Sequence, residues 1–312
     1  MKKMILVPLS ILLLAGCSSD NEPQSGTTTD PVEIKLTGGI QSITATTRGD
    51  GVISGTLPAS ELSISLARNN ALNIDATTYQ DYKNLSSSLA ATISTAGAIT
   101  ITPTEYYLTN SYSTKLVGWY PSTGTFTEQT DAPATVTFAL DGSTDVMLSN
   151  EVVGSKSSPS PAMTFAHLLT QIQIKAYAES PAAQTLWGNI TAAIKIKSQE
   201  PTCTVTLPAA IDFSGTAADV PMSIVPNALS ADSESPTDCG YAMIPPATAS
   251  TQLQIEVTTA TGGTITLNLP LQAYNASHAY TITLLFRSTN VTPSASMTDW
   301  TSETVGTPVE AQ

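Results

Sequence analysis

Histidine is nearly missing from this chain: His167 and His278 are the two in 312 residues, and neither sits in an HExxH frame or beside a cysteine pair. That excludes the common zinc sites and catalytic dyads, which need several such groups in one place. His167, in Phe165-Ala166-His167-Leu168-Leu169, reads as a packed, hydrogen-bonded imidazole at the entrance to a strand, and His278, after Asn275-Ala276-Ser277, as a solvated turn residue. No GxSxG elbow and no glycine-rich phosphate loop occur, so no enzyme, no cofactor and no metal is expected. The acid pairs Asp141 with Asp145 and Asp232 with Glu234 read as solvated turn charges. Charge is scarce as well, at 12% of residues, and its balance of 12 basic to 25 acidic groups excludes nucleic acid as a natural partner. Only three arginines occur, Arg48, Arg68 and Arg287. The one long apolar run, Ile5 to Ala15, spans about eleven residues and falls well short of the roughly 20 needed to cross a bilayer.

That run has a different meaning. Lys2 and Lys3 precede it and Leu14-Ala15-Gly16-Cys17 closes it, the order of a secretory signal ending in a lipobox. Residues 1–16 are expected to be cleaved and the Cys17 thiol acylated, so that the lipid attaches the chain to a membrane. Removing Lys2 and Lys3 leaves ten basic groups against 25 acids, a net charge of −15. Residues 17–31 are polar, without apolar periodicity, and read as a flexible tether. Two further cysteines, Cys203 in TCTVTL and Cys239 in TDCGYAMI, lie outside the cytosol, where a disulfide can persist. A bridge between them and two buried free thiols are equally open.

Thr, Ser and Ala with Val and Ile form a composition suited to half-buried strands. Short strands recur between turn signals from Val32 onward: VEIKL, ITATT, ELSISLA, AITIT, KLVGWY, ATVTFAL and DVMLS, then QIQIKAYA, AAIKIKS, CTVTLP, YAMIPP, LQIEVTT, TITLNLP and AYTITLLF. In ELSISLA, Leu62, Ile64 and Leu66 alternate with polar residues, the signature of a sheet with one face on a core. Helices are expected only around Tyr79–Leu89 and Ala182–Trp187. The stretch from Gly154 to Pro161 has a linker composition and divides the chain into β-domains at 32–154 and 162–312. The fold class is all-β, two antiparallel sandwiches in tandem after the signal.

Several pieces in this order resemble one family: the lipobox with its acidic tether, Thr47-Arg48 after a first strand, Leu116-Val117-Gly118-Trp119-Tyr120-Pro121, Asp145-Val146-Met147, the run from Met163 to Ile172, Met243-Ile244-Pro245-Pro246, Tyr280-Thr281-Ile282-Thr283-Leu284 and Met297-Thr298-Asp299-Trp300. The chain resembles the fimbrillins, type V pilus subunits and related surface lipoproteins of Bacteroidota. The resemblance implies two transthyretin-like sandwiches and polymerisation by strand exchange after an arginine-specific cut. Carried onto this sequence, it makes Val32, Ile34 and Leu36, with Ile40 and Ile43, a groove-filling strand removed by cleavage between Arg48 and Gly49. It places a donor strand within 291–312, with Val291, Ala295, Met297, Val305 and Val309 on one parity; Trp300 breaks that parity, so the stretch reads as one bulged strand or as two. The implied partners are other fimbrial subunits, copies of this chain or minor pilins, the outer membrane through the precursor's lipid, and a host or bacterial surface ligand. Asp20 and Glu22, soon after Cys17, resemble the surface-export signals of such lipoproteins. Two alternatives remain open: an anchor or tip subunit that keeps its lipid, and a glycan-binding surface lipoprotein using Trp119, Tyr120 or Trp187.

Overall fold

The computed structural model describes residues 30–41, 58–73, 75–109, 112–188, 190–223, 228–261 and 263–299. Cys17, Arg48, Gly49, Val305 and Val309 lie outside the described residues, as do the strand ITATT and Trp300. In chain order the strands of the first half are β1 (Leu36–Ile40), β2 (Leu62–Asn70), β3 (Leu89–Ile93), β4 (Ala98–Thr102), β5 (Thr114–Tyr120), β6 (Thr125–Thr127), β7 (Thr135–Ala139), β8 (Met147–Ser149), β9 (Val152–Gly154) and β10 (Ala162–His167). The second half holds β11 (Thr170–Ala178), helix α1 (Pro181–Trp187), β12 (Ile190–Gln199), β13 (Thr202–Thr206), β14 (Ala210–Ser214), β15 (Ala218–Pro221), β16 (Thr237–Ile244), β17 (Gln254–Thr259), β18 (Gly263–Asn268), β19 (His278–Phe286) and β20 (Val291–Asp299). The all-β class holds.

The first sheet runs β2-β3-β4-β1-β10-β8-β5-β9, and β5 also pairs with β2, so that seven of its strands close into a ring. Closure leaves the ring without an open edge, which suits a small β unit that must avoid pairing with strangers. Its interior is filled by alternate residues: Leu62, Ile64 and Leu66 of β2, Leu116 of β5, Met147 of β8, and Met163 and Phe165 of β10. Gly118 keeps this alternation possible on β5, because a Cβ there would lie 2.7 Å from Leu66 Cδ2 and 3.0 Å from Phe165 Cζ.

The opposite parity of β2, β5 and β8 is apolar too. Ala67, Val117, Trp119 and Leu148 point out of the ring into a second core shared with Val136 and Phe138 of β7 and Cys203 and Val205 of β13. Those strands form the small sheet β14-β13-β7-β6. Trp119 is fully buried and stacks on Phe126 at 6.1 Å between ring centroids. A third core lies between the sheets β16-β11-β19-β20 and β15-β12-β17-β18, with Ile172, Ile174, Ile194, Ile196, Ile255 and Ile282 among its side chains. Among the described strands the pairings are antiparallel except β1 with β10 and β11 with β19, two parallel contacts that strand alternation alone does not reveal.

Three expectations are corrected. The stretch 154–161 joins β9 to β10, two strands of the same sheet, so the boundary drawn there falls inside the first sheet, and β7 of the first half also pairs with β13 of the second. Tyr79–Leu89 is not helical, because Asp81, Tyr82 and Asn84 take φ values of 54°, 58° and 53°, which an α-helix forbids. Tyr82 turns into the second core instead, its hydroxyl donating to Glu151 Oε2 at 2.7 Å. Asp145 is no solvated turn charge: its carboxyl is fully buried, with His167 Nδ1 2.6 Å from Oδ2. Asp141 does cap its own turn, accepting from the Ser143 and Thr144 amides at 2.8 Å each. Ala182–Trp187 is helical as expected, within α1, where the Ser180 hydroxyl accepts from the Ala183 amide.

Candidate functional site

The segment around Val32, Ile34 and Leu36 lies in the middle of the ring, between β4 and β10. Ile34, Leu36 and Ile40 are each 3% exposed and point into the first core, while Val32 packs at its margin. Glu33 bridges to Tyr106, and regular pairing begins at Leu36, four residues later than the sequence pattern suggests. Main-chain bonds tie the segment on both sides. The Ile34 amide donates to Glu105 O at 2.9 Å, the Tyr107 amide to Val32 O at 2.9 Å, and the Gly38 amide to Gly97 O at 2.7 Å. On the β10 side Lys35 N donates to Pro159 O, Thr37 N to Pro161 O and Gln41 N to Phe165 O.

This strand is therefore an insert, held by side-chain burial and main-chain bonds on both flanks. Each buried aliphatic side chain contributes roughly 1.5–3 kcal/mol, so Ile34, Leu36 and Ile40 make the segment a firmly seated plug. Its C-terminal side leads into 42–57, the stretch that holds Arg48. Arg68 is engaged within β2, its guanidinium reaching Glu105 at 3.1 Å, Tyr106 O at 2.9 Å and Asn70 at 2.9 Å. Arg287 sits in the β19–β20 turn with Nε 3.7 Å from Glu179, and its carbonyl accepts from Trp187 Nε1 at 2.6 Å.

Residues 291–299 form β20, an edge strand paired along its whole length with β19, from Phe286 opposite Val291 to His278 opposite Asp299. Val291 is buried in its own core and Ala295 packs against it, so this part of the expected donor stretch belongs to its own sheet. Met297 stands opposite Tyr280 in the same register.

Cys203 and Cys239 are free, buried thiols in different cores, and the bridge is not formed. Burial pushes both up to about 12, with Asp212 and Asp238 adding to the effect, so the reactive thiolate is suppressed. Iodoacetamide at pH 8 is expected to leave both unlabelled in the folded protein and to label both in urea; mass spectrometry of rapidly labelled native protein showing adducts would contradict this.

The aromatics considered for glycan stacking are engaged elsewhere. Trp119 is buried, Tyr120 packs against the first core, and Trp187 packs edge-on against Phe286 at 5.7 Å. A cleft of about 510 Å³ beside β12 and β17 is lined by Gln199, Gln252, Gln254, Thr248 and Pro245 among others, none of them aromatic. Among the described residues no group of three or more His, Cys, Asp or Glu could hold a metal ion, and no helix is long and apolar enough to cross a membrane.

The fold has counterparts among solved structures. A candidate cell adhesion protein from Bacteroides uniformis superposes with a TM-score of 0.60 at 19% identity, covering 87% of this chain and 99% of the other. One from Bacteroides ovatus gives 0.56 at 18%, covering 88% and 99%. A fimbrial protein from Bacteroides vulgatus gives 0.55 at 12%, covering 86% and 99%. No curated protein shows significant sequence similarity to the chain. The profile of the fimbrillin-like proteins matches residues 23–300, nearly the whole length over which the ring, its inserted strand and the second sandwich are built, and the chain belongs to that family.

Proposed function

We propose that this chain is a fimbrial subunit made as a lipoprotein precursor, matured by cleavage between Arg48 and Gly49, and polymerised when a strand of another subunit takes the place of β1. As a fimbrillin-like protein it is a structural, non-enzymatic component of the cell surface that associates with other fimbrial subunits in adhesion. The observation that carries the finer reading is the position of β1: a strand from one end of the chain completes a ring between β4 and β10. Its loss opens a slot with unpaired main-chain groups on both rims and an apolar floor, which an extended segment satisfies by main-chain bonds and alternating side chains. Among the arginines, Arg68 and Arg287 are held by Glu105 and Glu179, which favours Arg48 as the cleaved one. The donor then comes from the residues after Asp299, since 291–299 are used in β20. Acylated Cys17 holds the precursor at the outer membrane and leaves with β1.

Arg48→Ala is expected to give lipidated monomers whose N-terminus remains acylated Cys17, whereas the wild-type chain starts at Gly49 and forms fibres. Mass spectrometry of the mature N-terminus together with electron microscopy reads both. Fibres from the variant would overturn the maturation scheme, and wild-type fibres whose subunits keep acylated Cys17 would assign the chain to the anchor.

A further inference from the structure

Resting on the strand-exchange reading above, we propose that the slot of β1 has a narrow step at Gly38, which fixes the register of the incoming strand and requires Gly or Ala there. The step is a steric feature of the ring. Ile34, Leu36, Gly38 and Ile40 form the inward row, large at three positions and empty at one. A Cβ added to Gly38 would lie 2.8 Å from Ile99 Cδ1, 3.1 Å from Ile99 Cγ1 and 3.6 Å from Ile93 Cδ1. Ile99 and Ile93 stand opposite each other on β4 and β3, 6% and 1% exposed, and Ile93 in turn faces Leu62 on β2. The end of Ile99 can give by a few tenths of an ångström for a methyl group, but a longer or branched side chain meets a packed wall.

Nothing in the backbone asks for glycine at this place. Gly38 lies outside the left-handed region, in regular pairing with Met163, and glycine in a strand interior otherwise weakens it. The absence of a side chain answers the close approach of β4 and β3.

The step selects one register for the tail of a second copy of this chain. With Ala311 at the Gly38 position and the strand running in the direction of β1, Val309 falls on Leu36, Thr307 on Ile34 and Val305 on Val32. Placing Val305 or Val309 at Leu36 and Ile40 instead would put Thr307 at the step, and placing Val309 at the step would set a branched side chain against Ile99. The chosen register forgoes one main-chain bond, because Pro308 would stand where the Lys35 amide donates to Pro159 O, and it sets Thr307 in place of buried Ile34 and brings none of residues 303–312 to the Ile40 position.

The test uses full-length chain cleaved between Arg48 and Gly49 by an arginine-specific protease and incubated with excess synthetic strand peptides. One set spans residues 31–42 with the native sequence, Gly38→Ala or Gly38→Leu; the other spans 303–312 with the native sequence or Ala311→Leu. Incorporation is followed by native mass spectrometry. The native and Gly38→Ala peptides are expected to exchange within a few-fold of each other, and both leucine peptides at least roughly tenfold less, the range that overpacking implies. Equal exchange of the leucine peptides overturns the step, and failure of the native 303–312 peptide beside a working 31–42 peptide overturns the register. A parallel measurement on uncleaved chain separates the two layers of the argument. If Gly38→Leu lowers the melting temperature while no peptide enters, the exchange reading fails and the proposal about incoming strands falls with it; if Gly38→Leu leaves the melting temperature unchanged and the peptides enter, exchange stands and the step is overturned.

Discussion

Expressed as separate pieces, residues 30–154 and 162–299 are each expected to lack a cooperative unfolding transition and dispersed amide resonances. The first piece loses β10, which breaks the ring at both β1 and β8 and removes Met163 and Phe165, 1% and 0% exposed, from the first core. It also loses β13, leaving Val136 and Phe138 without Cys203 and Val205 opposite them. The second piece uncovers Leu168, Leu169, Tyr241 and Met243, which complete the core around Trp119. At roughly 1.5–3 kcal/mol for each large apolar side chain, losing the burial of half a dozen costs an amount comparable to the whole 5–15 kcal/mol by which a domain is ordinarily stable. Mixing or coexpressing the two pieces is expected to restore structure. A sharp urea transition and a dispersed spectrum from either piece alone would show that the shared core is dispensable.

The second large effect is expected at the buried pair. His167→Leu should destabilise the protein by about 3–5 kcal/mol, the usual result of removing one partner of a buried polar pair. Its Nδ1 lies 2.6 Å from Asp145 Oδ2 with both side chains fully buried, and Asp145 Oδ1 has no hydrogen-bond partner among the described residues. Without the imidazole the carboxyl keeps its desolvation and loses its contact with His167 Nδ1. Replacing both, Asp145→Leu with His167→Leu, should cost far less than the sum of the single changes, because apolar residues of similar volume often substitute for a buried pair at little loss. Urea midpoints of the two single variants and the double variant decide the matter, and additive costs would mean that the two groups are not coupled.

What could be read from the sequence follows physical lines. Alternation over ELSISLA and QIQIKAYA locates β2 and β11, because a strand with one buried face must repeat every second residue. KLVGWY was legible as a strand, but not that both its faces are buried, since Leu116 and Trp119 serve different cores whose partners lie far along the chain. The linker composition of 154–161 marks a real turn, yet composition says nothing about which sheet the next strand joins. Tyr79–Leu89 carries no glycine to betray its left-handed residues. The alternation of Val32, Ile34 and Leu36 marks an extended segment, but its placement as an inserted strand comes only through the family resemblance, and the role of Gly38 is visible only once β3 and β4 are seen to press against it. Asp145 and His167 are 22 residues apart, and only the pairing of β8 with β10 brings them together.

The two prolines beside β1 bear on what an emptied slot does before it is refilled. At positions 159 and 161 the rim offers carbonyls that accept from Lys35 and Thr37, and proline has no N–H to offer in return. Two vacated chains meeting along this stretch would set acceptor against acceptor and gain nothing. If β1 leaves as proposed, positions 159 and 161 would present acceptors without donors, which disfavours pairing of two vacated rims along this stretch while a strand bearing free amides would still find partners there.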